Sequence, residues 1–297
     1  MTQILKSVAV VGGTHGNEIT GVHLLQYWQA QPSAITQASF DTELVLANPQ
    51  AHAKMTRYLD QDLNRQFKLA DLNNPALTGY EHSRAKVLNT LLGPKEDPRV
   101  DFVIDLHTTT ANMGLTLVIS DITPLLLDLV FYIKQQMPEA VLFYEPKDRV
   151  EDVFLTSLGR YNGLLIEVGP SPQGVLRGDV FDLTRRATEH ALQFLHWHNV
   201  GQVPALPDAL PAFEFVERME YPCNAQGERW GMVHPQAQDA DYTAVNTGDP
   251  LFLTFDGGVV TYQGEPTRYL SFVNEAAYYA SNVGLELMRQ FELKRRP

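Results

Sequence analysis

What most constrains the fold is an alternation, over the first 200 residues, between short β-branched apolar runs and longer segments with helical spacing. "SVAVVGG" reads as a buried strand stopped by glycines. "NEITGVHLLQYWQA" follows it, with Ile19, Val22, Leu24, Leu25 and Trp28 on an approximate helical stripe. "ELVLANP" is a second strand closed by Asn48-Pro49, and "GYEHSRAKVLNTLLG" a helix ending at Gly93. "VDFVIDLHTTT", "MGLTLVIS" and "GLLIEVGP" read as strands, "PLLLDLVFYIKQQMP" and "GDVFDLTRRATEHALQFLHWHN" as helices. Strands alternating with helices predict an α/β domain with a mixed or mostly parallel sheet. In such sheets ligands bind beyond the C-terminal ends of the strands. Polar residues at those ends are therefore the first candidates for a site.

The pattern changes near residue 200. "VGQVPALPDALP" carries three prolines in twelve residues and reads as a linker. Beyond it, "FEFVERMEYP", "PLFLTFDGG" and "TRYLSFVNE" are short β-like runs split by Gly, Pro and Asp. The expected organisation is a catalytic domain over 1–200 and a smaller β-rich domain over 205–297. Lys plus Arg number 23 against 35 Asp plus Glu, a net charge of −12. Such a chain repels phosphate backbones, so nucleic acid is not an expected partner, and an anionic substrate needs a local cation. One cysteine, Cys223, excludes an internal disulfide. The apolar run at the start is too short for a leader, and no stretch approaches the ~20 apolar residues of a membrane helix. A cytoplasmic protein with no membrane partner is the expectation, with homo-oligomerisation left open.

Four residues fall at or beside predicted strand ends: His15 and Glu18 in "GGTHGNE", His107 in "DLHTTT" and Glu167 in "LLIEVGP". Zinc takes imidazole nitrogen and carboxylate oxygen, and a catalytic zinc often has three protein ligands. His15 and Glu18, three residues apart at a strand–helix junction, can converge on one ion, and His107 is the natural third ligand. The same residues also fit a turn in which Asn17 or Glu18 caps the next helix. Glu167 in an apolar strand is costly to bury unless it is paired or has chemical work to do, such as general base catalysis. A salt bridge to an arginine is the other reading. "TRYLDQDLNRQF" brings Arg57, Asp62, Asn64 and Arg65. An Asn-Arg pair can grip a carboxylate and a second arginine can polarise a carbonyl, although the stretch also fits an exposed charged loop. "HWH" at His196 and His198 does not share a helix face, and the remaining histidines have no spaced partner. In "NEAAYY", Tyr278 either packs at a helix start or reaches a site as a hydrogen-bond donor.

Seven stretches, in order, resemble the aspartoacylase family: "GGTHGNE", "RYLDQDLNR", "DLHTTTANMG", "IEVGPSPQGVLR", "VHPQAQDADY", "TGDPLFLTFDG" and "FVNEAAYY". The resemblance runs from about Val8 to about Tyr279 and extends to the aminoacylase that acts on N-acyl aromatic amino acids. It implies a zinc-carboxypeptidase-like mixed sheet flanked by helices, with a β-rich C-terminal domain covering the active-site channel. It also implies one zinc per chain on His15, Glu18 and His107, Glu167 as general base and acid, and Arg57 as the group polarising the carbonyl. Asn64, Arg65 and Tyr278 would bind substrate, Glu275 would pair with Arg65, and Asp62 would orient the loop. The implied reaction is deacylation of an N-acyl-L-amino acid, N-acetyl-L-aspartate first and aromatic or neutral derivatives as the alternative. A peptide-cleaving zinc carboxypeptidase and a non-catalytic binding protein are the rival classes.

The chain departs from the family in two places. The family arginine about ten residues before the catalytic glutamate is replaced by Thr156 or Ser157, with Arg149 or Arg160 as substitutes only if the loop bends differently. Lysines after "NEAAYY" are replaced by Ala280, Ser281 and Asn282. Both changes remove positive charge and weaken the case for a dicarboxylic substrate.

Overall fold

The computed structural model describes residues 4–146 and 153–295. The strands are β1 (Ser7–Gly12), β2 (Asp41–Leu46), β3 (Phe102–Thr108), β4 (Gly114–Ile119), β5 (Val141–Tyr144) and β6 (Gly163–Gly169), then β7 (Ala209–Glu220), β8 (Gly231–Val233), β9 (Ala244–Val245), β10 (Pro250–Thr254), β11 (Val259–Thr261), β12 (Arg268–Ser271) and β13 (Val283–Lys294). The helices are α1 (Ile19–Ala30), α2 (Pro49–Ala53), α3 (Leu69–Leu72), α4 (Tyr80–Leu91), α5 (Pro124–Gln136) and α6 (Gly178–Val200). Ten strands form one sheet in the order β2-β1-β3-β6-β4-β5-β7-β13-β12-β9, and β11-β10-β8 form a small second sheet. β2, β1, β3 and β6 run parallel, while β4 is antiparallel to β6. The mixed α/β architecture expected from the alternation is present.

Strand alternation sorts the core into two faces. Val8 and Val10 of β1, Ile104 and Leu106 of β3, and Leu164 and Ile166 of β6 pack with Leu24, Trp28, Phe131 and Phe194 of α1, α5 and α6. Ala9, Val11 and Val103 point the other way, against Ala85 and Leu88 of α4. Apolar burial at roughly 25 cal/mol per Å² on both faces favours this layering over an open sheet. His107 and Glu167 lie on the α4 side, because each is an even number of residues from Val103 or Leu165 on its strand.

The proline-rich stretch does not end the sheet. β5 pairs with β7 in parallel at Phe143↔Phe213 and Tyr144↔Glu214, so the strands after residue 208 extend the same sheet. Two strands absent from the sequence reading make this continuity. β5 has only four residues, and β13 pairs along nearly its whole length with β7. "NEAAYY" forms a 3₁₀ turn, Ala276–Ser281, rather than an α-helix start. No helix among the described residues is long and apolar enough to cross a membrane.

Candidate active site

β1 ends at Gly12, and Gly13, at φ +69°, turns the chain out of the sheet in the left-handed region that favours glycine. Gly16 passes so close to the backbone of Ala51 and His52 that a Cβ would sit 2.2 Å from the Ala51 carbonyl carbon. His15 is thereby folded back over the strand ends. Glu18 stands at the N-cap position of α1, but its side chain makes no capping hydrogen bond. It points inward, so the cap reading of Glu18 does not hold.

His15, Glu18 and His107 are all buried and meet at one point. His15 Nδ1 lies 2.6 Å from Glu18 Oε1, His107 Nδ1 lies 3.0 Å from Glu18 Oε2, and the two Nδ1 atoms are 3.2 Å apart. The outer ring nitrogens meet carboxylates: His15 Nε2 is 3.0 Å from Asp62 and His107 Nε2 is 2.8 Å from Asp105. A carboxylate on Nε2 fixes the proton there and turns the Nδ1 lone pair toward the shared point, the usual support of a metal-ligating histidine. Zinc bonds of about 2.0–2.1 Å in a tetrahedron place ligand atoms roughly 3.3 Å apart. The observed spacings are close to that, so these residues fit the ion in both chemistry and size.

The electrostatics agree. Burial alone pushes Glu18 up, yet the His15 and His107 imidazoles hold it far below the ordinary carboxyl range. Burial alone would lower His107, but Asp105 and Glu18 raise it well above its usual value. The cluster stabilises positive charge at its centre, where a metal ion would compete with protons for the same lone pairs.

The loop 57–65 supplies the next layer. Arg57 donates from Nη1 to Glu18 and from Nη2 to Asp62, both at 3.0 Å. Burial disfavours its charge, but Asp62 and Glu18 more than restore it. Two of its five N–H donors are engaged in these bonds, leaving others for a substrate oxygen. Asp62 is held below the ordinary range: burial raises it, and His15, Arg57 and Arg65 outweigh that. Asn64 accepts from the Leu155 N–H at 2.8 Å, which sets the loop against the segment before β6. Arg65 donates to the Asn64 carbonyl at 2.9 Å and lies 5.0 Å over the Phe154 ring. It makes no ion pair with a carboxylate of the described residues.

Glu167 faces His107 directly across β3 and β6. Burial first, and the negative Glu18 second, push its carboxyl up to about 8. No arginine pairs with it among the described residues. Tyr278 is half-buried, and the loss of water around it raises its phenol well above the usual value, so it remains a hydrogen-bond donor.

His15, Glu18, Arg57, Asn64, Arg65, His107, Glu167, Glu275 and Tyr278 all line one cavity, a concave setting that combines convergent polar groups with apolar side chains, as small-molecule sites do. Asp62 sits behind His15 and Arg57. Glu275 is placed differently from expectation. It does not reach Arg65 but accepts from Thr109 Oγ1, from Thr110 N at 2.7 Å and from Ala111 N at 3.2 Å, tying the 3₁₀ turn to the end of β3. Thr156 is buried and Ser157 is engaged with Lys95 and the Phe154 carbonyl, and neither lines the cavity. Arg160 faces away, toward Asp97 and Asp101. Arg149 lies outside the described residues.

Sequence reasoning passed over two groups. Asp105 is fully buried and accepts from Thr14 Oγ1 at 2.7 Å besides contacting His107. Its signal was available, since an Asp two residues before a candidate ligand on an apolar strand shares that ligand's face. The second group is the apolar wall. Leu165, Val118 and Phe143 are register neighbours on β6, β4 and β5, and Phe154 and Phe272 complete the wall. Apolar strand residues look the same in sequence whether they line a core or a pocket. Glu145, just past β5, lines the cavity with Glu18, Glu167 and Glu275.

The profile of the succinylglutamate desuccinylase/aspartoacylase catalytic domain matches residues 4–195, and that of the AstE/AspA barrel-sandwich hybrid domain matches residues 208–290. The chain is 39% identical to a probable aspartoacylase of Trichodesmium erythraeum (strain IMS101), covering 98% of this chain and 99% of that one. It is 42% identical to the N-acyl-aromatic-L-amino acid amidohydrolase (carboxylate-forming) of Mus musculus, over 94% of this chain and 89% of that one. The crystal structure of murine aminoacylase 3 superposes with a TM-score of 0.92 at 38% identity, covering 99% of this chain and 98% of that chain.

Proposed function

Because the chain belongs to the succinylglutamate desuccinylase/aspartoacylase family, we propose that it is a zinc-dependent deacylase of N-acyl-L-amino acids with neutral, apolar or aromatic side chains. The observation that carries this reading is the pairing, in one cavity, of an apolar wall with Arg65, which makes no ion pair with a carboxylate of the described residues. Zinc held by His15, Glu18 and His107 would act as a Lewis acid on the acyl carbonyl and make water more acidic. Arg65, with the Asn64 amide beside it, binds the α-carboxylate through its planar fork. Arg57 donates to the acyl oxygen as negative charge grows there. Glu167 takes a proton from the attacking water and later gives it to the departing amine nitrogen, so that a carboxylate and a free amino acid result. A carboxyl raised toward neutrality is suited to both transfers. Tyr278 donates a hydrogen bond from the C-terminal side.

The wall of Leu165, Val118, Phe143 and Phe272 offers no cation for a second carboxylate among the described residues of the cavity. Specificity for aspartate would need a charged partner in that place. N-acetyl-L-aspartate is the second reading, favoured by the name of the Trichodesmium relative. A panel of N-acetyl amino acids, with amine release as the readout, separates the two. The expected result is kcat/KM at least roughly tenfold higher for the leucine, phenylalanine or tyrosine derivative than for the aspartate derivative, the scale of burying one apolar side chain. A preference for aspartate of tenfold or more would establish the second reading instead.

A further inference from the structure

We infer that Glu81, on the helix behind the site, is the positioning residue for the loop that carries Arg57, Asp62, Asn64 and Arg65. The inference rests on the roles proposed for those residues, but its first test does not depend on them. Glu81 is fully buried in the first turn of α4 and touches neither the cavity nor any of the candidate metal ligands. Its carboxylate accepts from three consecutive backbone N–H groups: Leu59 at 2.8 Å, Asp60 at 3.0 Å and Gln61 at 3.3 Å. A fourth donor is the Asn48 side-chain amide, at 3.3 Å. None of these partners is a cation, and the carboxylate makes no further hydrogen bond or ion pair among the described residues. A buried carboxylate without a counter-ion is expensive. It is tolerated because two oxygens, each with two lone pairs, meet four donors at a helix N-terminus.

The three amides held lie between Arg57 and Asp62. Those two side chains are bonded to each other, and both reach the metal cluster, through Glu18 and through His15. On its other side the Arg57 carbonyl accepts from Gly16 N at 3.0 Å, which fixes the loop to the one bearing His15. Tyr80 N donates to Asp60 at 2.6 Å and His82 contacts Gln61, so the whole first turn of α4 grips the same three residues. Anchoring the backbone midway between two arginines and their acid partner sets the distance from Arg57 to Arg65. That distance decides whether carbonyl and carboxylate are held together.

Backbone amide exchange on the wild type is the first test. The amides of residues 59–61 should exchange at least roughly a hundredfold more slowly than exposed loop amides, and free exchange there would overturn the inference without bearing on the reaction. In Glu81→Gln, one amide N–H₂ must face backbone donors. Protection at 59–61 should fall while that of β1, β3 and β6 stays, with zinc content unchanged. With an N-acetyl amino acid that the wild type hydrolyses, kcat/KM should fall roughly tenfold to a hundredfold, the effect of a displacement near 1 Å in a positioned group. The loss should appear in both KM and kcat, because both arginines shift. Glu81→Asp, which keeps the charge, should recover part of it. A Glu81→Gln protein that loses zinc and global protection together, or that keeps wild-type kinetics, would show Glu81 to be a general fold anchor and refute the positioning role.

Discussion

Replacing Asp105 with asparagine removes one negative charge on the far side of the His107 ring from the proposed metal and leaves every direct ligand in place. Asp105 is fully buried, contacts His107 Nε2 at 2.8 Å and accepts from Thr14 at 2.7 Å. An ionised carboxylate only accepts, so His107 must carry its proton on Nε2 and leave Nδ1 free to ligate. In Asp105→Asn the amide can sit in two ways. With N–H₂ toward His107, the proton is driven to Nδ1 and the ligand atom is blocked. With N–H₂ toward Thr14, whose hydroxyl can rotate to accept, His107 keeps its orientation but loses a charged acceptor. The difference between a charged and a neutral hydrogen bond is on the order of 1–2 kcal/mol. Zinc affinity should therefore fall about tenfold to a hundredfold, the range found for groups that orient metal ligands, and equivalent to about 1.4–2.7 kcal/mol. Competition against a chromophoric zinc chelator at neutral pH measures it. The metal-free proteins add a second readout. His107 is raised in the folded state, chiefly by Asp105 once burial is overcome. That ion pair stabilises the fold fully below the unfolded histidine value of about 6.5 and fades as pH rises through the raised value. The deficit in Tm of the variant should therefore be largest on the acid side and shrink toward alkaline pH. Unchanged zinc affinity in a folded Asp105→Asn protein would refute the argument that this carboxylate selects the ligating tautomer.

Glu167→Gln should keep its zinc and lose activity by roughly a hundredfold or more, the usual scale for removing a general base; near-wild-type turnover would make Glu167 structural. The acid limb of kcat/KM in the wild type should lie above the ordinary glutamate range and below about 8, since bound zinc draws the carboxyl down from its raised value. In the metal-free protein, a carboxyl raised by folding makes stability fall as pH climbs from about 4.3 toward that value, so Glu167→Gln should gain in Tm over the wild type between acid and neutral pH. Arg65→Lys keeps the charge and loses the fork, and KM should rise roughly tenfold to a hundredfold with a smaller change in kcat. A loss confined to kcat would place Arg65 at the reacting centre rather than on the α-carboxylate.

The layering of this protein, the strand ends and the three groups that converge at the candidate metal site were written locally in the chain. A short apolar run of β-branched residues bounded by glycine favours a strand, and Gly13 and Gly16 leave the next segment few paths. His15, Glu18, His107 and Glu167 were legible because polar residues are conspicuous against such runs. The loop from Arg57 to Arg65 was legible as chemistry but not as position: three N–H groups and a glutamate on a distant helix decide where it lies. Glu275 could be placed near the site, yet its partners, Thr109 to Ala111, follow from how β13 and β12 bring the 3₁₀ turn back to β3. Thr156 and Ser157 stand at the sequence distance where the family has its arginine, but Phe154 is the residue that faces the cavity. Counting along a chain fixes separation and not direction. The apolar wall was beyond reach for a simpler reason. Leu165, Val118 and Phe143 become a wall only when β6, β4 and β5 pair in register. Whether an apolar side chain meets another or a ligand depends on what the fold leaves opposite it. The hydrophobic effect acts on the area removed from water and carries no direction, so composition and spacing say that such residues are buried and only the tertiary structure says what they face.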